Sequence, residues 1–306
     1  MRRTKTAILP AQLNNSGYIM ADATILNFTS LPSSLPAFKK AVTAKKPGIK
    51  KGATIPRIEA VANNLKIDTD KLLKYGKVCG FGGGDRLPTS FLHIFAGPLH
   101  MAVMSSDKFP LKMIGLVHIR NVINHHRAVK TDEIVNVHVM VEGHREVDSG
   151  NEFDIISTVR VGDEIVWDSV STMLSRGGSK GGKKKSPPAE APTYERSVKL
   201  EIPSNTGRRY AGVSGDWNPI HLFDFTAKPL GFKSAIIHGM WTLARSAAEM
   251  EDMLPEKYSY SVEFKLPIFL PGNVLLKSTK TATGVDMRVT AKDGKKPHMV
   301  ANFDFS

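Results

Sequence analysis

Asp216 and His221 stand five positions apart in Ser214-Gly215-Asp216-Trp217-Asn218-Pro219-Ile220-His221, and His238-Gly239-Met240 follows at the head of an apolar run. A carboxylate and an imidazole so placed can share one water as acid and base, an arrangement worth about 10² to 10⁴ in rate. Pro219 between them breaks regular structure, so the two side chains can converge from an irregular turn. A helix that opens at Gly239 leaves backbone N–H groups without intrahelical partners, and its dipole favours negative charge there. Without a Cβ at that position, a substrate carbonyl can come close to the backbone. Acid, base and oxyanion donor together suit the addition of water to an activated double bond.

These residues need elements to hold them, and the chain is built twice. The run 176–192 is rich in Gly, Lys and Pro and cannot bury a core. It sets a flexible basic linker at 177–195 between an N-terminal domain at 52–176 and a C-terminal domain at 196–306, with 1–51 as a basic extension. Tyr75-Gly76-Lys77-Val78-Cys79-Gly80-Phe81 lines up with Tyr210-Ala211-Gly212-Val213-Ser214-Gly215-Asp216, and Ile94-Phe95-Ala96-Gly97 with Ile236-Ile237-His238-Gly239. Self-similarity at this period is the mark of a duplication. Strands are predicted at 113–123, 134–142, 153–161 and 164–174 in the first half, and at 258–266, 274–282, 285–291 and 298–305 in the second. In the last of these, Met299, Ala301, Phe303 and Phe305 alternate with more polar positions, as a half-buried strand requires. Asp293-Gly294 marks a hairpin. A helix over 239–250 is apolar or small nearly all round and must be enclosed; its counterpart is predicted at roughly 98–104.

The segment 214–221, continued by Ala227, Gly231-Phe232 and Ile236-Ile237-His238-Gly239-Met240, closely resembles the signature of the MaoC-like (R)-specific enoyl-CoA hydratases and 3-hydroxyacyl dehydratases. The resemblance implies an α+β fold of two tandem hotdogs, each a curved antiparallel sheet around a central helix, packed as a pseudo-dimer. It implies a hydro-lyase that reversibly hydrates trans-2-enoyl thioesters to (R)-3-hydroxyacyl thioesters in fatty-acid or polyketide-type metabolism. Asp216 and His221 would be the catalytic dyad and Gly239 the oxyanion donor, worth about 10² to 10³. Ser214 and Asn218 suit holding the turn and the carboxylate, and His238 suits orienting the helix entry. Met240 and Trp241, with Trp217, are expected in the core or the acyl pocket. The first half departs from the pattern: Phe81 stands where Asp216 does, and Gly82-Gly83-Gly84 replaces the Asn-Pro-x-His turn. That half is expected to be catalytically silent, with the pocket around Phe81 housing the distal acyl chain.

Composition narrows the alternatives. The net charge of +13 resides in two places, 1–51 with nine Lys/Arg against Asp22, and 176–199 with seven against Glu190 and Glu195. The domains themselves are therefore near neutral, and no nucleic-acid motif accompanies the charge, so no nucleic-acid partner is expected. One cysteine, Cys79, excludes an intrachain disulfide and fits a reducing compartment. No signal-peptide core or membrane-spanning run is present, and a cytoplasmic protein is expected. His125-His126, His93 and His100 have no carboxylate or cysteine cluster beside them and are expected to be structural, so neither metal nor cofactor is called for. The expected partner is an acyl-CoA or acyl-carrier-protein thioester, with a homodimer of double-hotdog chains possible. The alternative is a non-catalytic acyl-thioester binder or partner subunit, against which the intact Asp216, His221 and Gly239 speak.

Overall fold

The computed structural model describes residues 23–177 and 193–306. Most of the predicted linker and the first twenty-two residues lie outside the described residues. The first half runs β1 (Thr24–Phe28), α1 (Ser34–Thr43), β2 (Ile58–Lys66), α2 (Thr69–Cys79), α3 (Phe91–Ser105), β3 (Leu116–His125), β4 (Ile134–Val141), β5 (Arg145–Val147), β6 (Gly150–Val161) and β7 (Glu164–Arg176). The second runs β8 (Arg196–Ile202), α4 (Thr206–Ser214), α5 (Asp224–Ala227), α6 (Gly239–Ala248), β9 (Tyr258–Phe264), β10 (Gly272–Lys280), β11 (Gly284–Ala291) and β12 (Pro297–Asp304).

The strands alternate as their sequences require: in β4, Val135, Val137, Val139 and Val141 are buried while the positions between them stay partly open. Their order across the sheet is β1-β2-β4-β6-β7-β3-β9-β12-β11-β10-β8, with β5 paired to β6. From either outer end the order is the same, β2-β4-β6-β7-β3 against β8-β10-β11-β12-β9, as a duplicated unit demands. The two halves meet where β3 pairs antiparallel with β9, from Arg120 opposite Glu263 to His125 opposite Tyr258. α3 packs on β2, β4 and β6. In α6, Leu243, Ala244 and Ala247 have no exposed surface, and the Tyr260 hydroxyl donates to the Leu243 carbonyl. These are two hotdogs fused through one sheet.

The aligned heptapeptides occupy matching places. α2 ends on Gly80 and α4 on Gly215, both left-handed at φ 87° and 78°, a conformation that favours glycine. Tyr75 and Tyr210 meet across the junction with ring centroids 6.3 Å apart. The second alignment does not hold in space, because Gly239 opens α6 whereas Gly97 lies inside α3, which starts at Phe91 rather than near Pro98. Pro98 sits inside the helix without ending it. The basic extension also needs correction: β1 pairs parallel with β2, α1 packs on α3, and Leu26, Phe28, Leu31 and Ile49 pack against the core. Apolar positions hidden among the lysines belong to the folded body. Among the described residues no helix is long and apolar enough to cross a membrane.

Candidate active site

The loop after α4 is a chain of side-chain-to-backbone turns. Ser214 Oγ accepts from the Asp216 N–H at 3.2 Å, Asp216 Oδ1 from the Asn218 N–H at 3.1 Å, and Asn218 Oδ1 from the Ile220 N–H at 3.4 Å. Such Asx-type turns are the preferred local bonding of Ser, Asp and Asn. They lead into a 3₁₀ turn, Pro219–His221. That turn lies hard against α4, since a Cβ on Gly207 would sit 2.1 Å from the His221 carbonyl oxygen. The close approach fixes where His221 enters the site.

His221 is buried, and its Nδ1–H donates to the Ile236 carbonyl at 2.8 Å. A carbonyl can only accept, so the tautomer is set and Nε2 carries the lone pair. Burial lowers the imidazole's pKa, and Asp216 and the Ile236 carbonyl oppose this without reversing it. Asp216 keeps 54% of its side chain open, facing the cavity. Removal from bulk water pulls its pKa upward, but His238, His221, the Asn218 N–H and His118 together outweigh that and hold the carboxyl below its ordinary value. The resting pair is thus a carboxylate beside a neutral imidazole.

His238, the residue before α6, donates from Nε2 to the Asp216 carbonyl oxygen at 3.0 Å, while its buried Nδ1 has no partner among the described residues. Its ring stacks on His221 with centroids 3.7 Å apart and planes inclined 25°. Burial pushes its pKa down to about 3, so it stays uncharged. One ligand-type atom from each of Asp216, His221 and His238 lies within 4.8 Å of the others. Face-to-face rings send their in-plane lone pairs side by side rather than toward one ion, so the trio suits proton transfer better than metal ligation. Gly239 is the first residue of α6 and lines the same cavity, where a Cβ would meet the Phe264 ring at 3.1–3.3 Å.

The cavity is about 430 Å³, within the range of small-molecule sites. Asp216, His221, His238, Gly239, Ser214, Asn218 and Met240 line it. Trp241 and Phe81 do not. Trp241 Nε1 donates to the Val78 carbonyl at 3.0 Å and so ties α6 to α2, and Phe81 stacks on Tyr75 with centroids 6.0 Å apart. Both are buried at the junction between the halves: of the two places expected for Trp241 it takes the core and not the acyl pocket, and Phe81 does not house the acyl chain as expected. Trp217 is 41% exposed and likewise outside the cavity. Arg245 is spent on Glu249, 2.6 Å away. The first half shapes the cavity through other residues: Ile94, Gly97 and Met101 on α3, Met173 on β7, and His93, His100 and His118. Ser34 and Phe38 of α1 also line it, and Ser34 Oγ would touch a Cβ on Gly215 at 3.3 Å. His118 and Phe264 lie in strands with nothing local to single them out, and they reach the site only because β3 and β9 pair.

A MaoC-like domain is recognised over residues 183–301. The chain is 30% identical over 272 residues to 3-hydroxyacyl-thioester dehydratase X of Mycobacterium tuberculosis, covering 88% of this chain and 97% of the relative. It superposes on a crystal structure of that protein, HtdX, with a TM-score of 0.72 at 31% identity, over 80% of this chain and 98% of the other. An (R)-specific enoyl-CoA hydratase of Aeromonas caviae is 33% identical over 81 residues, covering 25% of this chain and 60% of that protein. A MaoC-like dehydratase structure from Phytophthora capsici shares the fold at 15% identity, with a TM-score of 0.66 over 82% of this chain and 95% of the other.

Proposed function

The chain belongs to the MaoC-like hydratase and dehydratase family, and on that premise we propose that Asp216, His221 and Gly239 are its catalytic residues for interconverting trans-2-enoyl and (R)-3-hydroxyacyl thioesters. It is a hydro-lyase. In hydration, Asp216 orients a water whose proton passes to His221 Nε2 as the oxygen bonds to C3. The C2–C3 π electrons move toward the thioester, and the Gly239 N–H at the head of α6 holds the charge on its oxygen. The imidazolium, stabilised by Asp216, then returns the proton to C2. One water is added, both resting groups are restored, and dehydration is the reverse. The observation that carries this reading is the free Nε2 of His221 beside the Asp216 carboxylate, in one cavity with a helix-opening glycine.

The second half supplies the chemistry, while the first supplies most of the far cavity wall and has Cys79, Gly80 and Phe81 where the second has Ser214, Gly215 and Asp216. A cytoplasmic location, a CoA or carrier-protein thioester and a homodimer of such chains complete the proposal. The test is loss of enoyl-CoA absorbance across chain lengths, with chiral analysis of the product. Turnover to the (R) product is expected. Tight acyl-thioester binding without turnover at any chain length would instead favour the non-catalytic binder.

A further inference from the structure

The first-half wall of the cavity is not hydrocarbon throughout, since His93, His100 and His118 stand in it among Ile94, Met101 and Met173. A row of rings runs from the site into the first half. The Phe264 ring covers Gly239, His118 lies against Phe264 with centroids 5.2 Å apart, and His93 stacks on His118 at 6.0 Å. His100 then meets His93 edge to face at 5.1 Å. His93 and His100 share the cavity face of α3, seven residues or two turns apart. His100 Nε2 is partnered by Ser157 Oγ at 2.7 Å. His93 Nδ1 and His118 Nε2 are buried and have no partner among the described residues. Ser171, another wall residue, is bonded by Asn121.

We propose that His93, His100 and His118 form a subsite for a hydroxyl group carried on the substrate's acyl chain, beyond the reacting carbons. The proposal rests on reading Asp216 and His221 as the hydration site. Two buried ring nitrogens without partners are costly, and an alkyl chain laid against them would leave that cost in place. A hydroxyl both donates and accepts, so it satisfies either tautomer of either imidazole. An anion is the wrong ligand. Burial depresses His93 strongly, takes His100 to about 3 and His118 to about 4, and leaves all three neutral at physiological pH. A metal is wrong as well, because among the described residues these three histidines do not gather their ring nitrogens closely enough to hold one ion.

The full-length protein is assayed with trans-2-enoyl-CoA thioesters of one chain length, unsubstituted or bearing a single hydroxyl walked outward from C5. The expected result is a position at which kcat/KM exceeds that of the alkyl thioester by about tenfold or more, the ratio given by one net hydrogen bond. His93→Leu and His118→Leu should abolish that ratio, chiefly through KM because the subsite lies off the reacting carbons. Equal or poorer kcat/KM at every hydroxyl position in the wild type overturns the proposal whether or not the variants fold. Calorimetric binding of the same thioesters to Asp216→Asn separates this subsite from the catalytic reading. Preferential binding of a hydroxylated chain supports the subsite even if the wild type turns over nothing. Equal binding, the result expected if water alone occupies the two nitrogens, overturns it.

Discussion

Replacing Asp216 with Asn should silence the enzyme without unfolding it. The Asn218 N–H that Asp216 Oδ1 accepts at 3.1 Å can be accepted as well by an amide oxygen, so the turn survives. With half its side chain open, the lost charge should change stability by less than about 1 kcal/mol. The rate effect is larger. Asp216 lies within 4.8 Å of the His221 ring nitrogen, and at an effective dielectric constant of about 20 a unit charge pair at that distance is worth about 3.5 kcal/mol. That stabilisation of the imidazolium corresponds to about 300-fold in kcat. Solvent in the cavity screens it, and a bound acyl chain that expels water restores it, so about 10² to 10³ is the expected loss. His221→Ala should lose about 10² to 10⁴ and also lower the melting temperature, because it removes the stacked ring and frees the Ile236 carbonyl. The double variant should lose little more than the worse single one, since the two groups act as a unit. Initial rates of enoyl-CoA hydration, paired with thermal melts, make the measurement. Near-normal turnover in Asp216→Asn, or a rate loss that merely tracks unfolding, would refute the dyad.

Gly239→Val should abolish turnover and raise KM, because even its Cβ would press on three Phe264 ring atoms at 3.1–3.3 Å; unchanged kinetics would remove Gly239 from the site. Phe81→Ala should cost about 3–5 kcal/mol by emptying a buried site against Tyr75 yet leave the chain-length profile unchanged, read by denaturant melts and a substrate series. Stability should fall steeply below pH 6.5. His118 is held at about 4 and His100 and His238 at about 3, so the folded state keeps them neutral while the unfolded chain protonates them. The contribution is intact above the unfolded value near 6.5 and is lost as pH falls, by about 2 kcal/mol per imidazole at pH 5. Urea midpoints that stay level from pH 7 to pH 5 would contradict this.

What could be read in advance was what is local in the chain. Ser214 to His221 and Gly239 carry their geometry in contiguous turn chemistry and a helix start, and the hotdog strands show their alternation. The start of α3 was hidden because Pro98 looks like a first-turn residue and instead sits mid-helix, where burial on all sides outweighs its local cost. The folded part of the extension was hidden by composition, since lysines concealed the few apolar residues of β1 and α1. Whether Phe81 and Trp241 face the cavity or the junction between the halves is not legible in the sequence, because an apolar ring signals burial without saying against what. The meeting of His118 with Phe264 depends on β3 pairing with β9, strands more than a hundred residues apart, and leaves no trace in either strand alone.

That β3–β9 seam also bears on how such a pocket can be altered. In an assembly of two identical chains every substitution is made twice, so a change that improves a wall on one side is imposed on the reacting side as well. Here each position exists once. An imidazole can be placed on α3 without appearing on α6, and the Asn-Pro-x-His turn can be dropped from one half while the other keeps it. One chain in place of two turns a symmetric container into one whose two ends can answer to different demands, with the Asn-Pro-x-His turn kept at one end only.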